Sequence, residues 1–127
     1  MADQFSLSGL YSTQPLGGDP SFAPVIEAPI NEPVVLAHKH YDDVDLSTDA
    51  TTPLNFGGGV VNAHVVILKA VGGKVRARVT SADGSVQAIP FDTYLLLMSM
   101  TVPITAIDLT RVPSQATSVR VFLGEKQ

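Results

Sequence analysis

Cysteine and tryptophan are both missing from the 127 residues. Without cysteine the chain makes no disulfide, no thiolate-bound zinc or iron–sulfur cluster, and no thiol chemistry; the absence leaves the compartment undecided. Without tryptophan, a sugar-stacking platform would have to come from Tyr11, Tyr41, Tyr94 and five phenylalanines. Charge is scarce as well. Charged residues make up 16% of the chain, against roughly 25% in an ordinary soluble domain. Hydrophobic residues reach 45%, enough to fill a core. The surface must then be covered by Ser, Thr, Gln, Asn and Gly, or be partly buried against a partner. A mean hydropathy of +0.24 favours the partner, and assembly is the expectation.

Long apolar runs are absent. Residues 65–68 and 94–98 are too short to cross a bilayer as helices. The start, Met1-Ala2-Asp3-Gln4-Phe5, lacks the basic and apolar regions of a signal peptide. Catalytic signatures are missing too. Gly57-Gly58-Gly59 and Gly72-Gly73 have neither the Lys-Ser/Thr ending of a Walker loop nor a helix to open. They read as a hinge, turns or bulges. No serine stands in a Gly-x-Ser-x-Gly elbow. The expectation is a protein that is not an enzyme and carries no cofactor.

Net charge is unevenly spread. Residues 1–50 hold eight acids and Lys39, a sum of -7; residues 51–127 hold four acids and seven bases, a sum of +3. An acidic first part can lie on a basic body, its own or a neighbour's, where complementary charge sets registry. The one basic cluster, Lys74, Arg76 and Arg78, falls short of a nucleic-acid face with stacking aromatics.

What is present is β-structure. In Lys74-Val75-Arg76-Ala77-Arg78-Val79-Thr80 apolar and polar residues alternate, the period of a half-buried strand. Asp83-Gly84 then gives a hairpin signal. Residues 60–70 read as a strand apolar on both faces, hence central or at an interface. Residues 86–89 return from the hairpin, and Pro90 limits that strand to an edge. The run 94–100 is dense in apolar residues and reads as a buried strand. Residues 104–111 and 119–123 add two more, with 124–127 fraying. Residues 34–37 are the first strand of the body. Six to eight short strands and hardly any helix imply two packed layers. The expected fold is all-β: a small antiparallel β-sandwich at residues 34–127, with jelly-roll connections as one of its forms.

Residues 1–33 are different. Pro15, Pro20, Pro24, Pro29 and Pro33 remove backbone donors and argue against a continuous helix or central strand. Yet Phe5, Leu7, Leu10, Tyr11, Phe22, Ile26 and Ile30 give the segment apolar surface that must lie on something. The expectation is an extended, proline-rich arm using those residues as its interface. Tyr94, Leu96, Met98 and Met100 are the expected meeting place of subunits, because only Asp92 is charged between residues 84 and 107.

His38 and His40 stand two apart, on one face if in a strand. With His64 as a third nitrogen they are the candidate metal ligands; two surface histidines beside a turn are common without metal. Asp42, Asp43, Asp45 and Asp49 supply oxygen ligands of the kind calcium takes, but without the glycine and glutamate of an EF-hand loop. Their ordinary reading is an acidic turn facing solvent or meeting Lys74, Arg76 and Arg78.

The run from Lys74 through Asp83-Gly84-Ser85 to Ile89-Pro90, then Tyr94-Leu95-Leu96-Leu97, Pro103-Ile104-Thr105-Ala106-Ile107 and the closing Val119-Arg120-Val121-Phe122-Leu123-Gly124, resembles small accessory virion proteins of tailed bacteriophages: capsid decoration or cement proteins, head fibres and small tail proteins. The resemblance covers residues 55–127 and is one of texture, with no binding motif to carry over. It implies a structural virion protein, located in the virion, commonly a homotrimer, that decorates or stabilises a capsid or tail by binding copies of itself and the major capsid or tail protein. Nucleic acid and membrane are not expected partners. The alternative is a receptor- or carbohydrate-binding β-sandwich module.

Overall fold

The computed structural model describes the backbone of residues 3–13 and 25–127, and the side chains of Gln4, Phe5 and residues 34–127. The described residues form nine strands and no helix. In chain order these are β1 (Asp3–Thr13), β2 (Val25–Leu46), β3 (Thr52–Pro53), β4 (Val65–Val71), β5 (Val75–Ser81), β6 (Val86–Phe91), β7 (Tyr94–Met98), β8 (Ile104–Arg111) and β9 (Thr117–Lys126). They make two antiparallel sheets, β1-β2-β9-β4-β7 and β3-β8-β5-β6. Counted from β2, the first sheet holds the first, eighth, third and sixth strands, and the second holds the second, seventh, fourth and fifth. That order is a jelly roll. The all-β sandwich expected from the alternating pattern is the observed fold.

The inner faces follow from the period of two. Val66, Leu68 and Ala70 of β4 and Val119, Val121 and Leu123 of β9 meet Val75, Ala77 and Val79 of β5 and Ile107 and Leu109 of β8 in one core. Leu46 from β2 closes one side, and Phe91 from β6 another. Arg76 and Arg78, alternating with the core residues of β5, are exposed.

Three local expectations change. Residues 94–98 are the end strand of the first sheet, not a buried strand. Leu95 and Leu97 pack on the core, whereas Tyr94 and Leu96 are exposed. An apolar run has no period, so its face assignment waits on the partner strand. Residues 60–64 precede β4 instead of extending it; among them Ala63 makes an isolated bridge to Ile104. The end of the chain does not fray: β9 runs to Lys126, and the Gln127 N–H donates to Val35 O at 2.9 Å.

The prolines of the first segment do not stop a strand. β2 is continuous through Pro29 and Pro33, with residues 25–36 paired to β1 and residues 36–46 paired to β9. The reason lies in which edge each amide faces. Val35 O is taken by Gln127, so Val35 faces away from β1. Strand residues two apart face the same edge, so Pro33 and Pro29 share that side. Their missing donors fall where β1 needs none.

Candidate assembly surface

The outer face of the first sheet carries an apolar row. Tyr41 of β2 stands opposite Phe122 of β9, Phe122 opposite Ile67 of β4, and Ile67 opposite Leu96 of β7. Tyr41 is 67% exposed and Leu96 42%. A sheet face turned to water ordinarily alternates to polar residues; here four neighbouring strands each place an apolar residue in one line. Cross-strand neighbours at this spacing touch, and the rings of Tyr41 and Phe122 lie 5.0 Å apart. The next row carries three charged residues and a tyrosine: Asp43, Arg120, Lys69, Tyr94. Arg120 Nε lies 3.8 Å from Asp43 Oδ1, and Lys69 Nζ sits 5.6 Å from the Tyr94 ring centre. Both are exposed contacts of small energetic weight.

The base of the β1–β2 hairpin leans onto this face. Pairing in β2 shifts between Leu36 and His38, a bulge that bends the strand. Beyond it Leu36 lies against Gly124, where a Cβ would come within 3.0 Å of the leucine methyl. Phe5 stacks on Phe122. Val34 and Leu36 are buried as a result. Of the expected arm interface, Phe5 is thus seen in contact with the body. Leu7, Leu10, Tyr11, Ile26 and Ile30 lie in the paired strands, with side chains outside the described residues; Phe22 lies outside them altogether.

His38 and His40 do share one region, and the feature beside them is Gly57-Gly58-Gly59. A Cβ on Gly57 would meet the His40 ring at 2.7 Å, and one on Gly59 the His38 ring at 2.8 Å. Gly58, at φ +65°, passes over the Lys39 carbonyl. The glycines are the floor on which the two imidazoles rest. His38 Nε2 is 3.9 Å from Glu125 Oε2, and His40 Nε2 is 3.9 Å from Asp42 Oδ2. His64 is tied elsewhere: its Nδ1 accepts the Lys126 N–H at 3.1 Å. Burial, helped by the Lys126 charge, lowers its pKa below the ordinary histidine value. Among the described residues no three His, Cys, Asp or Glu side chains are grouped to hold a metal ion.

The acidic turn is divided between two arginines. Asp49 Oδ1 accepts from Arg111 Nε and from the Ser114 N–H, both at 2.9 Å. Asp43 faces Arg120. Lys74 and Arg76 line a depression of about 620 Å³ together with Asp49 of that turn, Thr51, Thr110 and Arg111. Glu125 had no signal in the sequence. Its Oε1 accepts the N–H groups of Val61 (3.2 Å) and Asn62 (2.6 Å), fastening the loop before β4. Such a role needs a neighbour more than sixty residues away, which no local spacing reveals.

Of the expected subunit-interface residues, Tyr94, Leu96 and Met98 lie on β7, at the edge of the first sheet, and Met100 lies just past it, with its carbonyl accepting from Lys126 Nζ at 2.7 Å. Comparisons with family models, characterised proteins and solved structures return no match.

Proposed function

We propose that this chain is a structural protein that works by assembly, in the manner of a virion accessory protein that decorates or stabilises a capsid or tail. The observation that carries the reading is the row Tyr41–Phe122–Ile67–Leu96 on an outer sheet face. Desolvating apolar area is worth about 25 cal/mol per Å², and a contiguous apolar patch on an outer face is the usual mark of a protein contact. The jelly roll supports the reading only by analogy, since capsid and lectin domains both use it. The scarcity of charge supports it independently.

Its test is the mass of the purified protein by light scattering. A stable species near three times 13.4 kDa is expected, and a monomer at all concentrations would count against it. The second reading, a receptor- or carbohydrate-binding module, draws on the exposed Tyr41 ring beside Phe122. It predicts saturable binding to glycans or host surfaces that Tyr41→Ala removes.

A further inference from the structure

The two sheets treat their edges differently. The second sheet ends in β3, whose two residues include Pro53, and in β6, which contains Pro90. Proline on an edge blocks pairing with another chain. The first sheet ends in β7 and β1. β7, Tyr94-Leu95-Leu96-Leu97-Met98, holds neither a proline nor a charge; β1 holds no proline and one charge, Asp3.

Their open edges can be assigned from the bonds already made. Thr93 O accepts from Ala70 and the Ser99 N–H donates to His64 O. Odd-numbered positions of β7 therefore face β4, and Tyr94, Leu96 and Met98 turn their N–H and C=O groups outward. In β2 the odd positions face away from β1, so the even ones bond it. Their β1 partners are Phe5, Leu7 and Gly9, opposite Val34, Glu32 and Ile30. Ser6, Ser8 and Leu10 turn their backbone groups outward. Among the described residues no strand pairs with either edge.

We propose that the β1 edge of one copy adds to the β7 edge of the next, continuing the first sheet across subunits. The occupant of each edge is a second copy of this chain. Both edges end one sheet, at opposite ends, so a single joint satisfies both. Pro29 and Pro33 close the other side of the hairpin and leave β1 as its pairing edge. Main-chain bonds supply affinity in such strand addition, and side chains supply register. The joint is heterologous, so it closes into a ring when the rotation between copies allows, the trimer being the simplest case. This inference rests on the assembly reading above and specifies its contact.

The experiment uses full-length protein and light scattering. Leu96→Pro removes an outward donor from β7, and Ser8→Pro one from β1; neither N–H serves the internal ladder. Each variant is expected to keep the wild-type circular dichroism and to fall from the assembled mass to a single chain. Leu96→Lys, which charges the edge without altering the backbone, is expected to do the same. Mixing Ser8→Pro with Leu96→Pro joins the one intact edge of each, so a two-chain species and nothing larger is expected. If the wild type assembles and the folded edge variants assemble equally well, strand addition is wrong while the assembly reading stands. If the wild type is a monomer throughout, both fall.

Discussion

Phe5 lies nearly face to face with Phe122, with ring centroids 5.7 Å apart and planes 20° from parallel, although β2 runs between the strands that carry them. Between them, the pairing of β2 with β9 shifts register after Leu36. An aromatic pair of this geometry contributes about 0.5–1.5 kcal/mol beyond the area it buries. A double-mutant cycle with Phe5→Ala and Phe122→Ala should show coupling of that size. Additive effects would mean that the hairpin base does not rest on the sheet in solution.

Leu68 and Tyr41 separate the two faces of the first sheet. Leu68 is wholly buried in the core, and Tyr41 is mostly exposed. Leu68→Ala should cost about 2–5 kcal/mol in chemical denaturation, from lost transfer energy and the cavity left behind. Tyr41→Ser should cost less, about 0.5–1.5 kcal/mol, from loss of its ring contact with Phe122. A large loss at Tyr41 would place the apolar row inside the folding core of the single chain.

Gly58 and Gly84 make a matched pair. Both have positive φ, +65° and +89°, but a Cβ at Gly84 meets nothing within 4 Å, whereas one at Gly58 collides with the Lys39 carbonyl. Gly84→Ala should show backbone strain alone, about 1–2 kcal/mol. Gly58→Ala should lower the melting temperature further and disturb the His38 and His40 ring resonances. Equal losses would remove the glycine floor from the account.

Acid should act in two separate ranges. His64 has a folded pKa below its unfolded value, chiefly through burial. The unfolded chain then binds the extra proton first, so stability is full above about pH 6.5 and declines as pH falls from there toward the folded pKa. His64→Gln should flatten that decline in denaturation curves taken from pH 7 to 5. Asp49 and Asp83 behave differently: their pKa values are lowered, Asp49 first by the Ser114 N–H and then by Arg111, Asp83 by Ser85. Their stabilisation is present above the unfolded aspartate value, about 3.9, and is lost as pH falls through the folded one. Asp49→Asn should therefore lower stability above about pH 4, where the charged carboxylate is stabilised, and flatten the decline below it.

Much of the body was legible along the chain. The alternation in residues 74–80 placed Val75, Ala77 and Val79 in the core and Arg76 and Arg78 outside it. Asp83-Gly84 marked the turn between β5 and β6, and residues 104–111 became β8 to the residue. These features depend on neighbours two to four positions apart: side-chain period and turn chemistry are local, so the sequence by itself determined them. Tertiary structure alone decided which strand meets which. That choice put residues 94–98 on an edge, aligned Tyr41, Phe122, Ile67 and Leu96 in one row, turned Pro29 and Pro33 away from β1, and laid Gly57-Gly58-Gly59 under two histidines. Each of these relations joins residues far apart in the chain through backbone hydrogen bonds and close packing. A sequence pattern states which faces are apolar; only the pairing of strands decides what those faces meet.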